Sequence, residues 1–351
     1  MLTSRRMFFR LIAAAALSRG LARTVQASTE SQTSKSRGLA QRGDLRLVLI
    51  SDLNGPYGST SYSATVTRGI ALLEELQPDL VLCAGDMVAG QKLSLTDSQL
   101  EAMWNSFQSK ILNPLLKQGI PLIPTMGNHD ASSQKTASGY VFARERQQAE
   151  SFWELQKNRL GLEFIDSTDF PFRYIVRRPG LFVVVIDASS SQIDGNQQRW
   201  LEKALASDSR SSQDCCVVMG HLPLTAISVG RDRVGECLSD VIQLTDAMKR
   251  HQVDLYVSGH HHAWYPGELW GQRVLSLGAM GNGPRRLLGA QRASDPSLTL
   301  LDLFNQTKSV HETTFSLQTL DSISVDSLPR QLRSKSFPAV NRRDSLWSYG
   351  S

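Results

Sequence analysis

Ile120-Pro121-Leu122-Ile123-Pro124-Thr125-Met126-Gly127-Asn128-His129-Asp130 is the stretch on which the rest of the chain turns. Its first seven residues are an apolar run that reads as a buried strand. Its last four bring an amide, an imidazole and a carboxylate together in the loop leaving that strand. In α/β sheets, ligands bind at the carboxyl ends of the strands. A tetrapeptide alone is only suggestive, so the question is whether other strand ends carry the same kind of residue.

They do. Leu45 to Ile50 is apolar and β-branched, and it runs straight into Ser51-Asp52-Leu53-Asn54. A turn-rich loop, Gly55 to Ser59, is followed by a helical pattern with Val66, Ile70 and Leu73 on one face, ended by Pro78. Leu80 to Ala84 reads as the next strand and ends in Gly85-Asp86. A helix is predicted from about Asp97 to Lys117, with Thr96 or Asp97 as its cap. Downstream, Arg144 to Arg159 reads as a helix. Phe172 to Arg177 and Leu181 to Ile186 read as paired strands across Pro179-Gly180, with Asp187 at the end of the second. A helix near Gln197 to Ala206 leads to the strand Cys215 to Met219 and then Gly220-His221. A helix around Cys237 to Arg250 places Leu238, Val241, Ile242 and Met248 on one face. The strand Val253 to Val257 leads to Ser258-Gly259-His260-His261-His262, and β structure is predicted over 269–279, 298–303 and 311–315. Strands alternating with helices predict an α/β fold with parallel strands covered by helices.

The chain has 351 residues, 41% hydrophobic and 20% charged, which suits a soluble globular protein with one large domain. No run of about 20 apolar residues is present, so a membrane-spanning helix is not expected. The formal net charge is +5, from 38 basic and 33 acidic residues. Arg5, Arg6, Arg10, Arg19 and Arg23 account for the whole excess, and residues 1–27 hold no acid. Without them the charge is zero, so there is no strong electrostatic case for a nucleic-acid partner. Cys83 and Cys215-Cys216 lie in apolar strand-like runs and read as buried small hydrophobes. A disulfide from Cys237 to one of them is left open by the sequence.

Ser4-Arg5-Arg6-Met7-Phe8-Phe9-Arg10 resembles the twin-arginine export signal. The apolar segment Leu11 to Leu17 and the small-residue site Val25-Gln26-Ala27 follow it. The resemblance implies recognition by the twin-arginine translocation machinery, cleavage after residue 27, a periplasmic or secreted product, and no stable membrane anchor after cleavage. Residues 28–43 read as a flexible linker, 44–317 as one catalytic domain and 318–351 as a C-terminal tail.

Five separate strand ends thus carry Asp52 and Asn54; Asp86; Asn128, His129 and Asp130; His221; His260 and His262. Five of the seven histidines lie in these loops. A structural histidine is the ordinary reading of any one of them, but it would have to be invoked afresh at each loop. The series Asp52-Leu53-Asn54, Gly85-Asp86, Gly127-Asn128-His129-Asp130, Gly220-His221 and Gly259-His260-His261-His262 resembles the calcineurin-like metallophosphoesterase signature D-x-H, G-D, G-N-H-D/E, G-H and G-H-x-H, in order, over about residues 45–280. Four blocks agree fully and the first does not. The resemblance implies a fold of two packed mixed β-sheets flanked by helices.

It also implies a chemistry: hydrolysis of a phosphate mono- or diester of a small-molecule substrate by a hydroxide bridging two divalent metals, about 3.5–4 Å apart. Iron, manganese and zinc all suit mixed oxygen and nitrogen donors. By the resemblance Asp86 is the bridge, Asp52 and His262 hold the first metal, and Asn128, His221 and His260 hold the second. His129 protonates the leaving group or steadies the phosphoryl group, and Asp130 holds the His129 ring. His261 falls between two ligands and is expected to face away. Asn54 stands where the family usually has histidine. It ligates through its weaker amide oxygen, or holds a water or substrate oxygen, or leaves the first site weak; all three are open. Purple acid phosphatases also lack that histidine and use a tyrosine three residues after the second-block aspartate. Ala89 stands there, so no tyrosinate-iron colour is expected. Arg285 and Arg286 are more simply a solvated basic turn than a phosphate contact, and Asp187 more simply structural. The alternative is a non-catalytic metal-binding or scaffold protein on the same fold, as in the phosphoesterase-like retromer subunit.

Overall fold

Leu45–Ile50 (β1) is apolar at every position but Arg46, and all six residues are buried. A strand apolar on both faces must be covered on both faces. Arg46 is tolerated because its guanidinium meets both carboxylate oxygens of Asp302, at 2.8 and 2.9 Å. A computed structural model describes residues 41–281 and 283–350. The export signal expected at residues 1–27, and most of the linker, lie outside the described residues.

Two mixed sheets carry the fold. The first runs, in spatial order, β17 (Leu346–Ser348), β14 (Ser309–Ser316), β13 (Ser297–Phe304), β1, β2 (Leu80–Cys83) and β3 (Leu122–Pro124). In it β1, β2 and β3 are parallel, and β13 lies antiparallel to β1. The second runs β15 (Gln331–Leu332), β16 (Val340–Arg342), β11 (Tyr265–Leu269), β12 (Gln272–Ser276), β10 (Leu255–Ser258), β9 (Cys215–Met219), β8 (Leu181–Val185), β7 (Arg173–Arg178) and β6 (Glu163–Asp169). Here β8, β9, β10 and β12 are parallel. A small hairpin joins β4 (Lys135–Thr136) to β5 (Gly139–Tyr140). The helices are α1 (Ala64–Leu76), α2 (Asp97–Phe107), α3 (Asn113–Lys117), α4 (Asn128–Ala131), α5 (Ala143–Gln156), α6 (Gly195–Leu205) and α7 (Val241–Arg250). This is the α/β architecture of two mixed sheets flanked by helices that the motif series implied.

The period of two along a strand divides the core. On β8 and β9, Val183, Val185, Val217 and Met219 share one apolar cluster with Leu47, Leu49 and Leu82 of the first sheet. The alternate residues Phe182, Val184, Cys216 and Val218 share another with Leu201 and Leu205 of α6 and Leu244 and Met248 of α7. So the sheets face each other across one layer, and α6 and α7 cover the far side of the second.

The stretch 97–117 is helical throughout, as expected, with a π-type turn, Gln108–Leu112, between α2 and α3, which carries Pro114 at its start. Two local expectations are corrected. Helix α7 begins at Val241 rather than near Cys237, and its buried face is Leu244, Thr245, Ala247 and Met248. Ile242 is exposed, because at 3.6 residues per turn it stands about 160° round the helix from Leu244 and about 120° from Met248. All four cysteines are buried and free, so Cys237 forms no disulfide. Among the described residues no helix is long and apolar enough to cross a membrane.

The residues after 318 are built into both sheets. β15 and β16 extend the second and β17 extends the first. Arg343 meets the buried Glu312 at 2.7 Å, and the Gly350 N–H donates to Asp254 at 2.8 Å.

Candidate metal centre

The parallel strands of both sheets point their carboxyl ends to one place. The first sheet delivers Asp52 beyond β1, Asp86 beyond β2 and Asn128 at the start of α4 beyond β3. The second delivers His221 beyond β9, and His260 and His262 beyond β10. Acids and an amide therefore come from one sheet and imidazoles from the other. The ends are laced together. Asp52 N–H donates to Gly85 O at 2.9 Å, and the Asp52 carboxylate accepts the His260 N–H at 3.1 Å.

The turns are tight. Asp52, Asp86, His260 and His262 adopt left-handed backbone conformations, with φ of 53°, 55°, 64° and 51°. Such a conformation costs roughly 1–2 kcal/mol per residue, and Asp and His are among the side chains found there more often than most. Glycines supply the clearance. Gly85 has φ of 98°, and a Cβ on it would lie 2.7 Å from His221 Nδ1. A Cβ on Gly127 would lie 2.1 Å from Asp86 Oδ1. Only glycine lets β2 and β3 end this close together.

Asp52, Asp86 and His262 offer ligand atoms that all lie within 4.8 Å of one another. His262 Nε2 is 3.2 Å from Asp52 Oδ1, while its Nδ1 faces Gly283 O at 3.0 Å. A carbonyl only accepts, so Nδ1 carries a hydrogen, and Nε2 is the nitrogen that faces the carboxylate. His221 repeats the pattern: Nδ1 donates to Ala84 O at 2.7 Å, and Nε2 stands 2.9 Å from Asn128 Oδ1 and 3.4 Å from Asp86 Oδ1. The Asn128 amide is held the right way round because its Nδ2 donates to Gln91 Oε1 at 2.6 Å. His260 Nε2 meets Glu236 Oε2 at 2.9 Å, closer than the Arg231 guanidinium at 3.3 Å, so this nitrogen carries the hydrogen. His260 Nδ1 is left buried with no partner.

Each of these three rings has one nitrogen tied to an outer acceptor, while the other faces the centre or, in His260, has no partner. Metal-ligating histidines are held this way. At 2.9–3.4 Å from oxygen acceptors, the inward nitrogens of His221 and His262 need a proton or a bound cation on that side, and the buried His260 Nδ1 has no partner at all. The donor set therefore fits divalent cations. His260 stands somewhat apart from the tight group, beside His221 with ring centroids 5.1 Å apart.

The charges are strongly perturbed. Burial opposes ionisation of Asp86, but the His221 and His129 charges outweigh it and hold the carboxyl well below the usual range. Burial likewise opposes charge on Asp52, and the His262 ring outweighs it. Burial would lower His221, but Asp86 beside it raises the ring to about 9. His260 is lowered to about 4, chiefly by burial and against the pull of Glu236.

His129 lies at the rim. Its N–H donates to Asp86 Oδ1 at 2.9 Å, its Nδ1 faces Gly90 O at 3.0 Å, and its Nε2 is 4.0 Å from Asp86 Oδ2. The Tyr57 ring lies 5.1 Å away. Asp130 does not hold this ring, contrary to expectation. Its carboxylate accepts the backbone N–H groups of Met87, Val88 and Gly127 at 2.8–2.9 Å. It sits beneath the turns after β2 and β3, and burial together with the Asp86 charge pushes it up to about 7. Asn54 is buried, with its backbone N–H on Asp86 O at 3.1 Å, and its amide side chain has no hydrogen-bond partner among the described residues. His261 faces away: its Nδ1 accepts the Ile227 N–H and its Nε2 meets Glu236 O. Asp187 pairs with Arg146 at 2.9 Å and is structural.

Gln91, Arg231 and Glu236 were not legible in the sequence. None stands at a strand end or in a spaced motif. Arg231 and Arg233 both pair with Glu236. A cleft of about 900 Å³ opens beside the centre, with Gln91, Asn128, His260 and Glu236 in its wall.

None of the curated proteins matches the sequence closely enough to stand as a relative. Among solved structures, a dimetal phosphatase from Danio rerio is similar, with a TM-score of 0.51 and 13% identity over 80% of this chain and 98% of that one. The GAP50 anchor in the inner membrane complex of Plasmodium is similar with a TM-score of 0.50 and 12% identity, over 87% of this chain and 90% of that one. At such identities the likeness is one of fold. The sequence itself matches the calcineurin-like phosphoesterase pattern over residues 45–264, which takes in every strand end just described, and the chain belongs to that family.

Proposed function

We propose that the chain hydrolyses a phosphate mono- or diester of a small molecule, using two divalent cations held between the ends of its two sheets. The observation that carries this is the common posture of three histidines. His221, His260 and His262 each spend one nitrogen on an outer acceptor and turn the other inward or leave it unpartnered. Asp52, Asp86 and His262 would hold one cation, and Asp86, Asn128, His221 and His260 the other. Asn54, two residues after Asp52 and without a side-chain hydrogen bond among the described residues, would add its amide oxygen to the first. Mixed oxygen and nitrogen donors suit iron, manganese or zinc. Bound there, the cations neutralise charge on the phosphoryl oxygens and bring the pKa of a site water toward neutrality. The chain's own residues do the rest. Asp86, kept ionised, stands between the two sets. His129 Nε2 faces the centre from the rim, with Nδ1 anchored on Gly90 O, and supplies the proton that the departing alcohol takes as its P–O bond breaks. Asp130 acts by pinning the turns that carry Asp86 and Asn128.

The test is metal content and turnover of the purified full chain. About two equivalents of metal and release of phosphate or alcohol from an aryl mono- or diester are expected. Asp86→Asn should lower bound metal and cut kcat/KM by about 100-fold or more with the fold retained by circular dichroism. Stoichiometric metal without turnover of any ester would favour a scaffold instead.

The Arg5-Arg6 segment supports a twin-arginine export route to the periplasm or beyond. Expressed in a Gram-negative host, the protein is expected in the periplasmic fraction, and Arg5→Lys combined with Arg6→Lys is expected to leave the precursor in the cytoplasm. Equal export of the two would remove the proposal.

A further inference from the structure

We propose that the cleft beside the metal centre takes a polyhydroxylated leaving group, so that the substrate is the phosphate ester of a sugar or cyclitol. This rests on the phosphoesterase reading and adds the chemistry of the alcohol. In the reaction, water oxygen bonds to phosphorus, the ester P–O bond breaks, and the sugar or cyclitol leaves as the free alcohol with one proton.

The cleft begins at Asn128 and His260 and is walled by the loops after α4, β8 and β9. Six serines line it: Ser132, Ser133, Ser189, Ser190, Ser191 and Ser239. Some of them fix the walls. Ser133 Oγ bonds Ser190 Oγ at 2.6 Å, Ser189 Oγ donates to Ala131 O at 3.1 Å, and the Ser239 N–H donates to Ser191 O at 2.8 Å. Others are spare. Among the described residues the side chains of Gln134, Ser191, Gln192 and Ser239 form no hydrogen bond. A serine hydroxyl donates and accepts at once, and a glutamine amide offers both kinds of group. Such a wall matches the repeated hydroxyls of a polyol, each of which must also give and take.

Other leaving groups fit worse. Nucleobases want an open aromatic face. Tyr140 is the one aromatic in the lining, and its ring is already flanked by Lys135 at 4.7 Å and Arg146 at 4.2 Å. A second phosphate wants a spare cation. In the lining Lys135, Arg231 and Arg233 are outnumbered by Asp187, Asp194, Glu236 and Asp240. An acyl chain wants an apolar trough, whereas the lining offers only scattered residues such as Ile193, Leu222 and Val234. A pocket built of hydrogen-bonding groups also discriminates strongly, because an apolar ligand leaves those groups unmet.

The test compares kcat/KM of the metal-loaded full chain on a hexose phosphate, an inositol monophosphate, a nucleoside monophosphate, a lysophosphatidate and p-nitrophenyl phosphate. The sugar or cyclitol ester is expected to exceed the nucleoside and lipid esters by about tenfold or more. The double variant Ser191→Ala with Gln134→Leu is expected to lower the ratio of polyol to aryl kcat/KM by about tenfold, as loss of two hydrogen bonds implies. The ratio is read within one preparation, so a fraction of misfolded protein cancels. Preference for the nucleoside or lipid ester, or an unchanged ratio in the variant, overturns this proposal while leaving phosphoesterase activity standing. No turnover of any of these esters, nor of the diester bis(p-nitrophenyl) phosphate, overturns both readings together.

Discussion

Glu236 shows what a single side chain outside the motifs contributes. It accepts from His260 Nε2 and is itself gripped by Arg231 and Arg233, so the His260 ring is held with Nδ1 free. Removing the acceptor lets the ring turn and would leave the proposed second cation with a poorer ligand. Glu236→Ala is therefore expected to weaken metal binding by about 10–100-fold, read by titration of the metal-free protein. Glu236→Gln, which keeps an acceptor oxygen, should retain most of the affinity. Equal affinity in wild type and Glu236→Ala would show that His260 needs no such support. Gly127 makes the complementary point, since any Cβ there meets the Asp86 carboxylate.

At the scale of elements, the helices covering the second sheet are joined at their exposed ends by charge. Glu202 of α6 meets Arg250 at 2.7 Å and His251 at 2.8 Å, just where α7 ends. Burial would raise the Glu202 carboxyl, but His251 and Arg250 outweigh it and hold it below its ordinary value of 4.5. A folded-state pKa below the unfolded one means that the stabilisation is complete above pH 4.5 and is lost as pH falls through the folded value. The group is partly exposed, and solvent screens the pair. Acidification from neutral pH through this window should thus cost the wild type about 1–2 °C more of Tm than Glu202→Gln. Parallel pH profiles of Tm for the two proteins would refute the linkage.

For the whole molecule, the centre is a rivet between two sheets as well as a site. Its acids and amide come from β1, β2 and β3 and its imidazoles from β9 and β10. Cations bound there favour the folded chain over the unfolded one. At about 100 times the dissociation constant such binding adds about 2.7 kcal/mol. Chelation is accordingly expected to lower the denaturation midpoint by roughly that free energy, and Asp86→Asn to lose most of the metal dependence. A midpoint indifferent to chelator would mean that the two sheet ends hold together without ions.

What the sequence determined was everything that strand ends carry locally. A buried β-strand announces itself by an apolar run, and a residue directly after it must lie at the sheet edge, so Asp52, Asp86, Asn128, His129, His221, His260 and His262 could be placed before any coordinates. The two-sheet fold was implied by the family that those motifs resemble, whereas strand and helix order alone indicated parallel strands under helices. What only the tertiary structure decided was which side chains meet across long separations. Asp130 sits next to His129 in sequence yet spends its carboxylate on the turns after β2 and β3. Glu236, Gln91 and the serine-lined cleft come from loops with no periodicity to read, and the last strands join both sheets from a polar stretch that looks like a tail. The physical reason is that period and motif report on a residue's own backbone, whereas hydrogen-bond partners depend on how two sheets close over a common core.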